Sequence, residues 1–417
     1  MKMRKLNGRV IPAALALSLA VTPGLAYGAE DGETFVAEPG NPYDAATWDR
    51  LHDNVLEYDE IGLLVEEYNT TYKNLRETYE DNKDASDDVV KLKEQLSEQS
   101  GDLLAQANSL ADTASNIRDV LGYQNMVTPD AYASMVYSSE LLNYQSEQML
   151  LMGDSLTEIT PEMLHVQTVE TGRASLISGA QSAMIGYEQL LLSKEQLESS
   201  LELLEAVYQS TQTQAAVGMA TQSDVLDAKQ NLESAQAGML TINANEQNLR
   251  QTLCTMLGWE YNASPEIRPV PEADESRIAG MNPETDKEQA IANNFTLKYN
   301  TLSLDTLTDG SVEKANMERT IAQQKEQIAS SLTNLYNDVL QKQSELTTAR
   351  AAYELAQTKM TSAEQKLQVG TIGRLEYLQQ ENALKTAEIE MKNAELSLFQ
   401  SMETYDWALQ GNLSISS

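Results

Sequence analysis

The chain contains one stretch twice, and any fold must accommodate that repeat. Val217-Gly218-Met219-Ala220-Thr221-Gln222-Ser223-Asp224 returns as Val369-Gly370-Thr371-Ile372-Gly373-Arg374-Leu375-Glu376, an offset of 152 residues without a gap. Leu226/Leu378, Leu232/Leu384, Ala235/Ala387, Met239/Met391 and Leu257/Leu409 are identical pairs at the same offset. A long internal repeat decides the architecture before any local feature does.

Around each copy the apolar residues step by four and three. Leu176, Ala180, Ala183, Tyr187, Leu190, Leu197, Leu201, Leu204 and Tyr208 lead into the first. Ile328, Leu332, Leu335, Val339, Ala349, Tyr353, Ala356 and Met360 lead into the second, with Lys342 the one polar interruption. A sustained stripe of this kind means helices packed along a seam, as in a coiled coil. Glycine tolerates positive φ and commonly ends a helix, so Gly218 and Gly370 mark points where a long helix turns back on itself. Asp224 and Glu376 then stand near the start of each returning helix, where a carboxylate suits the positive helix end. The fold class expected is all-α: elongated antiparallel long-helix hairpins, coiled-coil-like, in two tandem structural repeats.

The wording of the two turns resembles the TolC family of outer-membrane efflux ducts, which carries a Val-Gly-x-x-x-x-x-Asp tip in each half of an internal repeat. The resemblance covers about 176–257 and 328–409. It implies a TolC-like α-barrel protomer in a homotrimeric passive duct. The partners it implies are a periplasmic adaptor (membrane fusion) protein and an inner-membrane pump, either ABC or proton-driven. Carried over residue by residue, the adaptor-docking tips are Val217, Gly218 and Met219, with Val369, Gly370 and Thr371. A pore gate built from Asp224, Glu376 and Arg374 is also implied, although two gate positions of the family pattern hold Ile372 and Gln379 here. Arg374 stands two residues beyond the family's arginine position and is expected to reach Asp224 instead.

Residues 1–29 have the three-part pattern of a signal peptide. Lys2, Arg4, Lys5 and Arg9 precede an apolar run from Val10 to Val21, followed by small residues ending at Gly28 and Ala29. Without those four cations the chain has 25 basic against 63 acidic groups, a net charge of −38. Such a surface repels nucleic acid and anionic lipid. An exported protein of the cell envelope is the expectation. Cys254 lies beside Leu253 of the stripe and reads as a buried thiol. His52 and His165 lack companions at metal-ligand spacing and read as ordinary helix residues. No catalytic wording or phosphate-binding loop points to an enzyme, and no cofactor is implied.

In order, residues 30–44 read as a linker, 45–258 as the first helical repeat with a helical insertion at about 81–160, and 259–285 as a proline-rich connector. Residues 286–411 form the second repeat and 412–417 a tail. Trp48 to Val65 reads as one helical run whose counterpart is Glu288–Phe295. Asp81 to Asp88 reads as a turn, Thr128-Pro129 and Thr160-Pro161 as helix starts, and Asp309-Gly310 as an interruption. The family also carries a β-hairpin in each half, but no pair of nine-to-eleven-residue alternating strands is legible. Its absence leaves an alternative: a secreted coiled-coil protein of the cell surface, structural or adhesive, with no conduit.

Overall fold

The computed structural model describes residues 43–121, 139, 143, 146 and 159–415. The signal peptide, most of the 30–44 linker and the expected helix start at Thr128-Pro129 lie outside the described residues.

The opening segment is broken where the sequence suggests one helix. Helix α1 (Ala45–Leu51) is capped by Asp44 and stops at His52. The Asp53 carboxylate then accepts from the Val55 backbone N–H at 2.8 Å, turning the chain into strand β1 (Val55–Leu56). A short 3-10 turn leads into α2 (Ile61–Tyr68). At Asn69 the chain bends into α3 (Thr70–Leu121), 52 residues long. The turn expected at Asp81–Asp88 is therefore absent, and α3 also continues through Gly101. Acidic residues without glycine or proline do not break a helix. Here the Asn82 side chain donates back to the Thr78 carbonyl, and Lys83 pairs with Glu80 one turn away.

The outer part of α3 has a helical partner running the other way. Ser139 Oγ donates to the Ala107 carbonyl at 2.9 Å, and Ser146 and Ser100 hydroxyls meet at 2.9 Å. All four residues are buried. The descending chain re-enters at α4 (Pro161–His165), with Thr160 capping and Pro161 in the first turn. A single π-turn over Val166–Glu170 then feeds α5 (Thr171–Ala216).

Helix α6 (Gln222–Met256) returns antiparallel to α5. The connector follows, and its strand β2 (Glu266–Ile267) pairs parallel with β1, Val55 opposite Glu266. This two-residue bridge is the only sheet among the described residues.

The second half repeats the plan more economically. Helix α7 (Pro283–Asn293) bends at Asn294 into α8 (Phe295–Thr306). Residues 307–311 then turn directly into α9 (Val312–Gln368), with Gly310 at φ +78°. Helix α10 (Arg374–Leu409) returns along α9. At 1.5 Å per residue, α9 is roughly 86 Å long and α5 roughly 69 Å.

Two cores form, and α10 belongs to both. Its Ile389, Leu396 and Phe399 pack with Ile61, Leu64, Ile177 and Met184 of the first half. Its Leu398, Met402, Tyr405 and Ala408 pack with Ile328, Leu332, Val339 and Leu346. The fully buried Leu332, Val339 and Leu346 of α9 recur every seven residues, the spacing of a coiled-coil seam.

Candidate functional site: two matched helix reversals

Each reversal is closed by the same two hydrogen bonds. At the first, the Gly218 N–H donates to the Ala215 carbonyl at 3.1 Å and the Met219 N–H to the Gln214 carbonyl at 2.8 Å. At the second, the Gly370 N–H donates to the Leu367 carbonyl at 3.0 Å and the Thr371 N–H to the Lys366 carbonyl at 2.9 Å. This is the Schellman ending, which needs a left-handed residue just past the helix. Gly218 supplies it at φ +76° and Gly370 at φ +72°.

The two turns differ on the way back. Thr221 caps α6: its hydroxyl accepts from the Asp224 N–H at 3.2 Å, and the Asp224 carboxylate accepts from the Thr221 N–H at 2.7 Å. These bonds from the Thr221 backbone and hydroxyl hold the Asp224 carboxyl below its ordinary range. The repeat places Gly373 where Thr221 stands, and α10 starts without any side-chain cap. Glu376 occupies its first turn and is exposed.

Both reversals lie at the same pole of the molecule. Helices α5 and α10 run antiparallel, as four contacts show: Asn412 with Ser178, Trp407 with Gln181, Lys385 with Glu195, and Arg374 with Glu202. Going toward the end of α5 is therefore going toward the start of α10. The first reversal extends fourteen residues beyond Glu202, so the tips are staggered by roughly 20 Å at most.

Arg374 does not reach Asp224. It lies 3.8 Å from Glu202 and stacks over the Tyr377 ring at 5.0 Å. Asp224 is already occupied by Thr221, and the start of α10 faces α5 rather than α6 in this chain. Of the three residues that the resemblance assigns to a gate, Arg374 and Glu376 share the first turn of α10 and Asp224 stands apart on the other tip.

The tips present apolar side chains to solvent. Val217 is 67% exposed, Met219 79% and Val369 73%. A Cβ placed on Gly218 or Gly370 would meet nothing within 4 Å, so neither glycine is there to make room within this chain.

At the opposite ends of the returning helices, two asparagines escaped the sequence reading. Asn69 Nδ2 donates to the Met256 carbonyl at 2.8 Å, while its Oδ1 accepts from the Tyr72 N–H at 2.9 Å. Asn294 Nδ2 donates to the Leu413 carbonyl at 2.9 Å, and its Oδ1 accepts from the Leu297 N–H at 3.0 Å. Each asparagine thus caps one helix and holds the chain leaving another. Beside each clamp is a glycine at positive φ, Gly258 against Tyr68 and Gly411 against the Asn293 carbonyl, with no space for a Cβ. The two asparagines stand at matching bends, Asn69 where α2 passes into α3 and Asn294 where α7 passes into α8.

No known protein family matches the sequence, and no curated protein does. Among the solved structures that align with this chain are outer-membrane channels. The channel OprN is 15% identical, with 93% of this chain and 99% of that chain covered and a TM-score of 0.46. The Campylobacter jejuni channel CmeC is 12% identical, with 95% of each chain covered and a TM-score of 0.40. The outer-membrane protein VceC of Vibrio cholerae is 14% identical, with 64% of this chain and 76% of that chain covered and a TM-score of 0.41.

Among the described residues no helix is long and apolar enough to cross a membrane. Cys254 is buried, and burial pushes its thiol up from the ordinary value. His52 ends α1 with its ring on Trp48 and its Nε2 2.8 Å from the Tyr68 hydroxyl. His165 packs against the Tyr79 ring.

Proposed function

We propose that the chain is one subunit of a TolC-like export or efflux duct that docks an adaptor protein through its two helix reversals. The observation that carries this reading is the matched pair of Schellman turns at one pole, each flanked by an exposed valine. A protein whose reversals served only to connect helices would have no need to keep Val217, Met219 and Val369 in water. Glycine at each apex lets a partner backbone approach closely. Helix hairpins of a partner are the shape complementary to such tips.

In this reading three copies enclose a lumen, and transport is passive, with energy supplied by the partner pump. Leu226 and Leu240 on α6 and Leu355 on α9 are exposed leucines that neighbouring copies would cover. The membrane-facing β-hairpin of the family has no room in the second half, where α8 passes to α9 through residues 307–311. The duct's far end accordingly lies in a cell envelope where this half contributes no barrel strands.

The test is capture of the cognate adaptor by the purified chain, with Gly218→Trp and Gly370→Trp combined. Capture should be lost while circular dichroism keeps its helical signal. Undiminished capture by the folded double variant would sink tip docking. Native mass measurement should return three chains per particle; a monomer at working concentration would rule out an enclosed lumen.

A further inference from the structure

The two reversals match in backbone and differ in charge. Over residues 206–224, which lead into and out of the first apex, Asp224 is the one charged residue. Its carboxylate already accepts from the Thr221 N–H and hydroxyl. The same window of the second copy, 358–376, holds Lys359, Lys366 and Arg374 with Glu364 and Glu376, all of them exposed. The first tip thus offers a partner no uncommitted charge, and the second offers three cations against two carboxylates. That local excess stands in a mature chain with 25 basic and 63 acidic groups.

Helix stability does not account for these cations. Lys359 and Lys366 stand seven residues apart on one face of α9, and neither is ion-paired among the described residues. Lys366 suits the negative end of α9, but Lys359 lies two turns further back. Arg374 opens α10, where the positive helix end disfavours a cation. Its counter-ion on α5, Glu202, lies 3.8 Å away with both side chains mostly in water, so that pair contributes little. The Tyr377 ring holds the guanidinium in place at 5.0 Å. Lys366 and Arg374 stand four residues before and after Gly370, at equal depth on the two legs of the tip.

We propose that the second reversal selects an acidic partner: a helical hairpin whose turn carries carboxylates, engaged by Lys366 and Arg374 beside the apex and by Lys359 along α9. The first reversal contributes apolar contact through Val217 and Met219. Charge complementarity decides the occupant. A basic hairpin would meet three cations, whereas a carboxylate exchanges the weak Glu202 contact of Arg374 for a charge-assisted, bidentate bond. A partner acidic throughout would be repelled by the rest of this chain, so its carboxylates belong at the turn, where they also dictate which tip it engages. The inference rests on the docking reading of the tips and adds the chemistry of the partner.

Carbodiimide coupling of the full chain to its purified cognate adaptor tests it, because the reagent joins an amine to a carboxylate where the two touch. Amide links from Lys366 or Lys359 to aspartates or glutamates of the adaptor turn are expected, read by peptide mass mapping. Lys366→Gln combined with Arg374→Gln should weaken capture by about tenfold or more at fixed salt, with the helical signal unchanged. Lys229→Gln, past the first tip and paired with Glu233, should leave capture as it is. Links from adaptor lysines to Glu364 or Glu376 would mean a basic partner and overturn the proposal. Lysine links confined to neighbouring copies of this chain would do the same, as would full capture by the folded glutamine variant. If that variant is captured while the combined Gly218→Trp and Gly370→Trp variant is not, this inference falls and tip docking stands. Capture indifferent to both pairs of substitutions would remove both.

Discussion

Asn69 Nδ2 donates to the Met256 carbonyl at 2.8 Å, across 187 residues of sequence. Asn294 does the same for the end of the second half, reaching the Leu413 carbonyl at 2.9 Å. Both side chains are almost fully removed from water, so each bond is made where no solvent molecule substitutes. Leaving a buried carbonyl or N–H without a partner costs about 1–3 kcal/mol. Asn294→Ala and Asn69→Ala should each destabilise by about that amount, read as a lower denaturant midpoint with unchanged slope. An unshifted midpoint would mean the clamps are ornamental to folding.

The missing cap at the second tip makes a different prediction. Gly373 has φ −86° and ψ 168°, which any residue adopts, and a Cβ there meets nothing within 4 Å. Gly373→Thr would restore, with Glu376, the box that Thr221 forms with Asp224. Replacing a good cap typically changes helix stability by about 0.5–2 kcal/mol, although glycine is itself a fair cap and the gain here belongs at the low end. Amide exchange in the first turn of α10 should slow about twofold in this variant. Conversely, Thr221→Ala should quicken exchange at the start of α6.

At the apices the backbone sets the cost. Gly218→Val and Gly370→Val force a branched side chain into the left-handed region, at about 1–2 kcal/mol each. Asn tolerates that region, so Gly218→Asn should cost visibly less. Local exchange of the Met219 and Thr371 amides is the appropriate readout, because the tips are far from both cores. Equal effects of valine and asparagine would contradict the positive φ.

Glu60 predicts a pH dependence. It is 2% exposed, and burial pushes its carboxyl up to about 7, against opposing pulls from the Glu57 N–H and Arg50. The folded value exceeds the unfolded one, so the folded state holds this proton more tightly. The associated stability is complete below the unfolded value near 4.5 and is lost as pH rises through about 7. Glu60→Gln should keep the bond from the Glu57 N–H and flatten that decline. Thermal midpoints at pH 5 and pH 8 should therefore fall further apart in the parent than in the variant.

Much of this architecture is written locally. The repeat gives the two hairpins, and Gly218 and Gly370 give their turning points, because a left-handed apex leaves a strong mark on residue choice. The break at Asp309-Gly310 is legible for the same reason, and the start at Thr160-Pro161 because a capping hydroxyl before a proline marks a first helical turn. What was not legible depends on partners distant in sequence. The Trp48–Val65 run has helical spacing, but the Asp53 side chain and the pairing of β1 with β2 override it. The expectation that Arg374 reaches Asp224 rests on the family's arginine position, held here by Ile372 two residues earlier. The antiparallel seating of α5 on α10 gives Arg374 Glu202 instead. The asparagine clamps were invisible because an asparagine before a helix looks like an ordinary cap until the second bond is seen.

The dual allegiance of α10 has a consequence for how the gene can be divided. The repeats are separable on paper at the proline-rich connector, yet the first hydrophobic interior is completed by Ile389, Leu396 and Phe399 from beyond it. A product truncated after the first repeat would therefore be an unfinished body rather than a half-sized one. Synthesis must pass Phe399 before the first interior can shut and Ala408 before the second can.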